Sequence, residues 1–395
     1  MAKKILIFST AYHPFMAGAE IAVKEITDRI GEVEFDLITA KMDRKLPFRE
    51  RVGNVTVYRL GIGVPLVDKL LLPFEGALFV RHLEKKSTYD FYWCVMASFA
   101  SGAAYIANIL NFKKHVPIIL NLQEGDSEQY FKKKWFGLIN FAWRLALNQT
   151  SLLTVISNYL GERARRFGFR GEMKLIPNGV DVKSFELRDF SLGERNKIRR
   201  EWGFGDGDTV LITSSRLNIK NGIGDVIEAL ALLPENVKFV ICGIGELKES
   251  LKLKVKSLKL EERVVFVGNV SHDVLPKYLK SADIFVRPSL SEGFGLSFVE
   301  AMAARLPVIA TRVGGIADFL VDPAKLEQSE MRSGIEVQTG YVCEPQNPES
   351  VAKTVQRVIN DVGRNRIIEN AYRMVKEKYD WDLIAGKMKD VFEVN

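Results

Sequence analysis

The chain has 395 residues, too many for one hydrophobic core, so two domains are expected. Its hydrophobic fraction of 47% is that of an ordinary globular protein, and no apolar run reaches the roughly 18 residues of a membrane span. The net charge of +7 favours anionic partners, yet there is no zinc-finger spacing, no RNP-like aromatic pattern and no long basic run, which argues against a nucleic-acid binder.

From the N-terminus, KKILIFST reads as a buried first strand. Its apolar part is too short for a signal peptide, and no small-residue cleavage site follows. TAYHPFMAGAEIAV then enters a helix at Gly18, whose free N–H can face a phosphate. Glu20 suits the first turn of that helix, and His13 is either a ligand contact or structural. FDLITA, YWCVMAS, VPIILNL and LLTVIS continue the series of strands. Two stretches, within residues 61–86 and 129–148, mix apolar and basic residues at helical spacing; each lies either on an anionic membrane surface or against the core. VPIILNL leads into QEGD, where Glu124 or Asp126 can position a hydroxyl or cap the next helix.

After IPNGVD, the charged and turn-rich residues 183–200 have the weakest periodicity and read as the linker. The pattern then restarts with TVLITSS, VKFVICG, RVVFVG, IFVRPS and PVIAT. Strand–helix alternation of this kind predicts an α/β protein, with two Rossmann-like doubly wound domains facing a central cleft. Arg216 and Lys220 follow TVLITSS, where parallel sheets bind ligands, and can neutralise a diphosphate. Gly243 and Gly245 follow the next strand, but the third glycine of a dinucleotide fingerprint is missing. Cys94, Cys242 and Cys343 have no metal-ligand spacing and read as core thiols of a cytoplasmic protein.

The densest signal is SLSEGFGLSFVEAMAARLPVIATRVGGI, residues 289–316. Glu292 lies in a glycine-rich turn and Glu300 lies about one turn into an apolar helix, with seven residues between them. Gly293 and Gly295 let the backbone approach a ligand, and the helix start offers unpaired N–H groups. A carboxylate beside such an anion site accepts hydrogen bonds from hydroxyls, which a sugar and a ribose both supply.

This segment, with SADIFVRPS before it and the VGG turn within it, resembles the Glu-x7-Glu signature of retaining glycosyltransferases of the GT-B architecture, most closely glycosyltransferase family 4. The resemblance implies transfer of a sugar from a nucleoside-diphosphate donor to a glycan or lipid-linked acceptor hydroxyl, without a metal or other cofactor. Glu300 would bind the ribose, Glu292 the donor sugar, and the amides of Gly293, Phe294 and Gly295 the sugar or diphosphate. Gly243 would lie at the nucleotide end of the site, with backbone contacts to the base near Val270, His272 serving as a loop or cap residue. Arg216, Lys220, Glu292 and Asp126 are the expected catalytic set.

Residues 1–183 with 376–395 would form the acceptor-side domain and 184–375 the nucleotide-sugar domain, the last helix, beginning near YDW, crossing back to the first. The chain departs from the family pattern at Ala17, where a second glycine is usual, at Asn221, between Lys220 and Gly222, and at Gln123, where many members have histidine. The Asp-x-Asp pairs at 206–208 and 380–382 fall outside the expected site and are not read as metal ligands. A sugar phosphorylase of the same architecture and an inactive nucleotide-sugar-binding scaffold are the alternatives. Peripheral association with the inner face of the cell membrane goes with a lipid-linked acceptor.

Overall fold

A computed structural model describes residues 3–111, 115–126, 138–186, 190–325 and 337–393. The first half of the basic-aromatic stretch 129–148, and the helix start expected after Asp126, lie outside these residues. The chain forms two compact units, Met1–Asn178 with Trp381–Asn395, and Gly179–Asp380.

The first unit holds an eight-stranded sheet, comprising β1 (Lys3–Phe8), β2 (Val33–Ala40), β3 (Arg49–Val52), β4 (Val55–Leu60), β5 (Phe91–Val95), β6 (Ile118–Leu122), β7 (Leu152–Val155) and β8 (Glu172–Leu175). Their order is β3-β4-β2-β1-β5-β6-β7-β8, parallel throughout except for the β3–β4 hairpin. The inner strands are continuous apolar runs because helices cover both faces of a parallel sheet, so no face needs polar residues. Helices α1 (Gly18–Arg29), α2 (Pro65–Glu84) and α3 (Phe99–Leu110) belong to this unit. Helix Trp381–Glu393 packs Trp381, Ile384, Met388 and Phe392 into the same core as Ile5, Val23 and Trp93.

The second unit holds a wholly parallel six-stranded sheet, comprising β9 (Thr209–Ser214), β10 (Val237–Cys242), β11 (Val264–Gly268), β12 (Ile284–Arg287), β13 (Val308–Ala310) and β14 (Tyr341–Val342). Its order is β11-β10-β9-β12-β13-β14. The chain winds one way from β9 and the other way from β12, which puts the topological switch point between these neighbours. In the first unit the same reversal falls between β1 and β5.

Within the segment expected as a linker, the described residues include helices Val182–Glu186 and Leu192–Glu201. Ser191 and Glu194 form a reciprocal capping box on helix Leu192–Glu201. Arg199 is buried, donating to Ser281 O at 2.8 Å and pairing with Asp283 at 2.6 Å. That partner lies more than eighty residues along the chain, out of reach of any local pattern. All three cysteines are buried thiols, and burial pushes Cys242 and Cys343 up to about 12. No helix among the described residues is long and apolar enough to cross a membrane.

Candidate active site

A cluster of polar side chains of the second unit gathers where β9 and β12 end. Strand β12 closes on Arg287, a guanidinium that is only 5% exposed. Its Nη2 meets Glu292 Oε1 at 2.5 Å, Nη1 donates to Ser297 Oγ at 2.9 Å and Nε donates to Ser289 Oγ at 3.1 Å. The Phe298 ring lies beneath it, with Cζ 4.2 Å from the centroid. Desolvation lowers the Arg287 pKa, while Glu292 and then Glu300 oppose that shift. Glu292 is thus paired directly with a buried cation, whereas Glu300 is reached by that cation only through its field.

Glu300 is 5% exposed, on helix Leu296–Ala303. Burial raises its pKa, and His272 and Arg287 pull it back. The His272 ring, itself exposed, brings Nδ1 to 3.6 Å from Glu300 Oε1. His272 therefore faces the carboxylate from the loop that also carries Val270, a closer association than a plain loop or cap residue would have.

The glycines explain how the turns close. Gly295, at φ 97°, caps the helix carrying Glu300, and a Cβ there would come within 2.5 Å of Phe298. Gly315 donates its N–H to Glu292 O at 3.1 Å, and a Cβ on Gly314 would fall 2.0 Å from that same oxygen. The downstream glycine pair thus forms the floor of the Glu292 turn. Gly293 is buried, and the Phe294 side chain turns into the core against Phe319 and Tyr379, leaving its backbone for any ligand contact.

The cationic loop after β9 docks on the same turn, with Leu290 N–H donating to Lys220 O at 2.7 Å. Asn221, the residue outside the family register, is buried and donates to Arg216 O at 2.5 Å, holding the loop closed. Arg216 is exposed and Lys220 half-buried. Beside them Thr213 Oγ1, Ser215 Oγ and Asn218 Oδ1 are buried without a hydrogen-bond partner. Gly243 follows β10 at φ 151°, donating to Gly268 O at 2.6 Å, and a Cβ there would fall 1.8 Å from Ser215 O. The Gly243→Ala variant is therefore expected to lose at least about 2 kcal/mol in denaturant unfolding, because backbone rather than a mobile side chain occupies the space. Gly18→Ala, with nothing within 4 Å of the new methyl, is expected to be neutral or stabilising by about 0.5 kcal/mol.

In the first unit, Gly18 opens α1, and Glu20 accepts the Ala17 N–H at 2.9 Å, so Glu20 caps its own helix. His13 is exposed, and its carbonyl accepts from Arg59 at 2.8 Å. Gln123 is tied at both ends, donating to Asn121 Oδ1 at 2.6 Å and accepting from Asn178 Nδ2 at 3.0 Å. Glu124 accepts backbone N–H groups from Ala97 at 2.7 Å and from Gln123 at 3.0 Å, which makes it a loop brace. Asp126 is half-buried, its carbonyl held by Arg163 Nη1 at 2.7 Å. Of the Asp-x-Asp pairs, Asp208 accepts the Gly205 N–H and Asp382 pairs with Arg29.

Arg287 is the residue that sequence reasoning missed. A single charge ending the apolar run IFVR, immediately before Pro288, was the available signal.

The family model for glycosyl transferases group 1 matches residues 194–374, and that for Glycosyltransferase Family 4 matches residues 16–184. The chain is 35% identical to uncharacterized glycosyltransferase MJ1607 of Methanocaldococcus jannaschii, over 99% of this chain and 98% of the relative. Sucrose-phosphate synthase from Thermosynechococcus elongatus superposes with a TM-score of 0.83 at 20% identity, covering 99% of this chain and 98% of that one. HepE of Anabaena, crystallised with UDP and glucose, superposes with a TM-score of 0.74 at 20% identity, covering 98% and 99%. With two parallel-sheet units of this topology and these matches, the chain is a GT-B glycosyltransferase belonging to the group 1 transferases, glycosyltransferase family 4.

Proposed function

We propose that this glycosyltransferase moves a sugar, with retention at the anomeric carbon, from a nucleoside-diphosphate sugar to the hydroxyl of a glycan or lipid-linked acceptor. The observation that carries the reading is the pair Glu292–Glu300 beside buried Arg287, which holds Glu292, at the switch point of the second sheet. Glu300 accepts the two ribose hydroxyls, and Glu292 orients the donor sugar. The amides of Gly293, Phe294 and Gly295 receive the sugar or diphosphate oxygens. Arg216 and Lys220 neutralise the departing diphosphate, work that a metal ion does in other transferases. Gly243 and Val270 border the nucleotide, Gly18 presents a backbone N–H to the phosphates, and Asp126 positions the acceptor hydroxyl.

UDP bound to HepE, a protein of the same fold, supports a nucleotide donor. Attack from the face that the diphosphate leaves needs no protein nucleophile, and the proton of the incoming hydroxyl passes to the departing phosphate oxygen. Residues 184–375 are the donor-binding domain in this reading, and residues 1–183 with 376–395 the acceptor side. A cytoplasmic enzyme in peripheral contact with an anionic membrane surface belongs to the same reading where the acceptor is lipid-linked.

NMR of the product tests this directly. The anomeric configuration of the donor is expected to be kept, and an inverted product overturns the mechanism.

A further inference from the structure

Helix α2 is apolar on two faces, whereas a surface helix needs only one. Its inner face buries Leu72, Gly76, Val80 and Leu83, with Gly76 so close to α3 that a Cβ would meet Ala103 at 2.7 Å. Its outer face leaves Leu66, Val67, Leu70, Leu71, Phe74 and Leu78 in solvent, from 37% exposed at Val67 to 70% at Leu66. At about 100° per residue these six fall within an arc of roughly 140°. They form a continuous apolar stripe of the kind that marks an interaction surface.

We infer that this outer stripe of α2 is the membrane-docking element, taking an anionic lipid surface; the inference rests on the peripheral reading above and assigns it to α2 rather than to Leu138–Asn148. Charge complementarity selects the occupant. Arg81 and Lys85, both exposed, fall within the same arc just beyond Leu78, where their stems continue the apolar surface and their heads reach the phosphates. The carboxylates of the helix stand off the stripe or are engaged. Asp68 is buried, receiving the N–H groups of Met42, Ile62 and Gly63 at 2.8–3.0 Å. Glu84 accepts from Tyr92 at 2.7 Å and Asn111 at 3.1 Å, while Glu75 lies beyond the apolar arc. A second copy is a poorer occupant. Antiparallel stripes would press Arg81 and Lys85 onto leucines, parallel stripes would press them onto each other, and Glu84, the carboxylate at the edge of the arc, is already held by Tyr92 and Asn111.

The experiment is co-sedimentation of the full chain with vesicles of phosphatidylcholine, alone or mixed with phosphatidylglycerol. Variants are the triple L70S/F74S/L78S and the double R81Q/K85Q, with thermal melts to confirm folding. The wild type is expected to sediment with the mixed vesicles and to be released by salt. The double variant is expected to bind them about 30-fold more weakly, and the triple variant about 100-fold or more. Wild-type protein left in the supernatant overturns the inference, as does a triple variant that sediments like the wild type. Equal binding to neutral vesicles overturns the anionic assignment. Light scattering that shows a wild-type dimer and a triple-variant monomer gives the stripe to a second copy and also overturns it. A thermal shift with UDP-glucose or GDP-mannose reports the donor site in every variant. Loss of that shift with sedimentation intact would count against the proposed transferase site and not against α2.

Discussion

Replacing Arg287 by methionine is expected to destabilise the second unit by about 3–5 kcal/mol, the usual result of removing one partner from a buried ion pair. Methionine fills much of the space over Phe298 but leaves Glu292 without its 2.5 Å partner and Glu300 beside no buried cation. In a unit spanning Gly179–Asp380, the melting midpoint should fall by about 10 °C. Arg287→Lys keeps the charge but cannot reach Glu292, Ser297 and Ser289 together, so an intermediate loss is expected. By comparison, the exposed i,i+4 pair Lys24–Asp28 should yield less than about 0.5 kcal/mol when broken. A midpoint drop of only a degree or two for Arg287→Met would mean that Glu292 and Glu300 are compensated by something else.

Glu300→Ala should separate binding from stability. If Glu300 receives the ribose hydroxyls, its removal is expected to weaken nucleotide-sugar binding by about 10- to 100-fold, the worth of hydrogen bonds to a charged group. Calorimetric titration with each common nucleotide sugar would read this. The melting midpoint should stay level or rise, because Arg287 keeps Glu292 and a costly buried carboxylate is gone.

The pH dependence carries opposite signs for the two quantities. Burial raises the Glu300 pKa in the folded state, so its contribution to stability is fully present below the ordinary carboxylate value and is lost as pH rises through the raised one. Donor affinity should do the reverse, falling as pH drops through the raised value, since the charged form is the stronger acceptor. A nucleotide sugar is the proper ligand because its diphosphate diester does not titrate in that range. Affinity independent of pH down to the ordinary carboxylate range would remove Glu300 from the ribose.

Much of the fold was legible because its signals are local. Runs such as KKILIFST and TVLITSS are apolar on both faces, which parallel strands between helix layers require. SEGFG announced a turn of close backbone approach, and Gly295 is found at φ 97° capping the helix that carries Glu300. Where charge was read without its partner, the contacts that hold it were out of sight. Within residues 183–200, read as a linker, Arg199 is held by Asp283, more than eighty residues along the chain. Glu124 was read as a possible positioner of sugar hydroxyls, and it braces the Ala97 and Gln123 amides.

The sequence by itself determined the α/β class, the strand series and the turn and following helix that carry two glutamates with seven residues between them, since all of these follow from the preferences of neighbouring residues. Only the tertiary structure decided that a buried arginine at the end of β12 pairs with Glu292 beside Glu300, and that the Lys220 loop closes onto the Glu292 turn. It likewise decided that the outer face of α2 remains in solvent. Periodicity marks a face as apolar but cannot say whether anything packs on it, and an ion pair belongs to two segments whose meeting is a property of the whole fold.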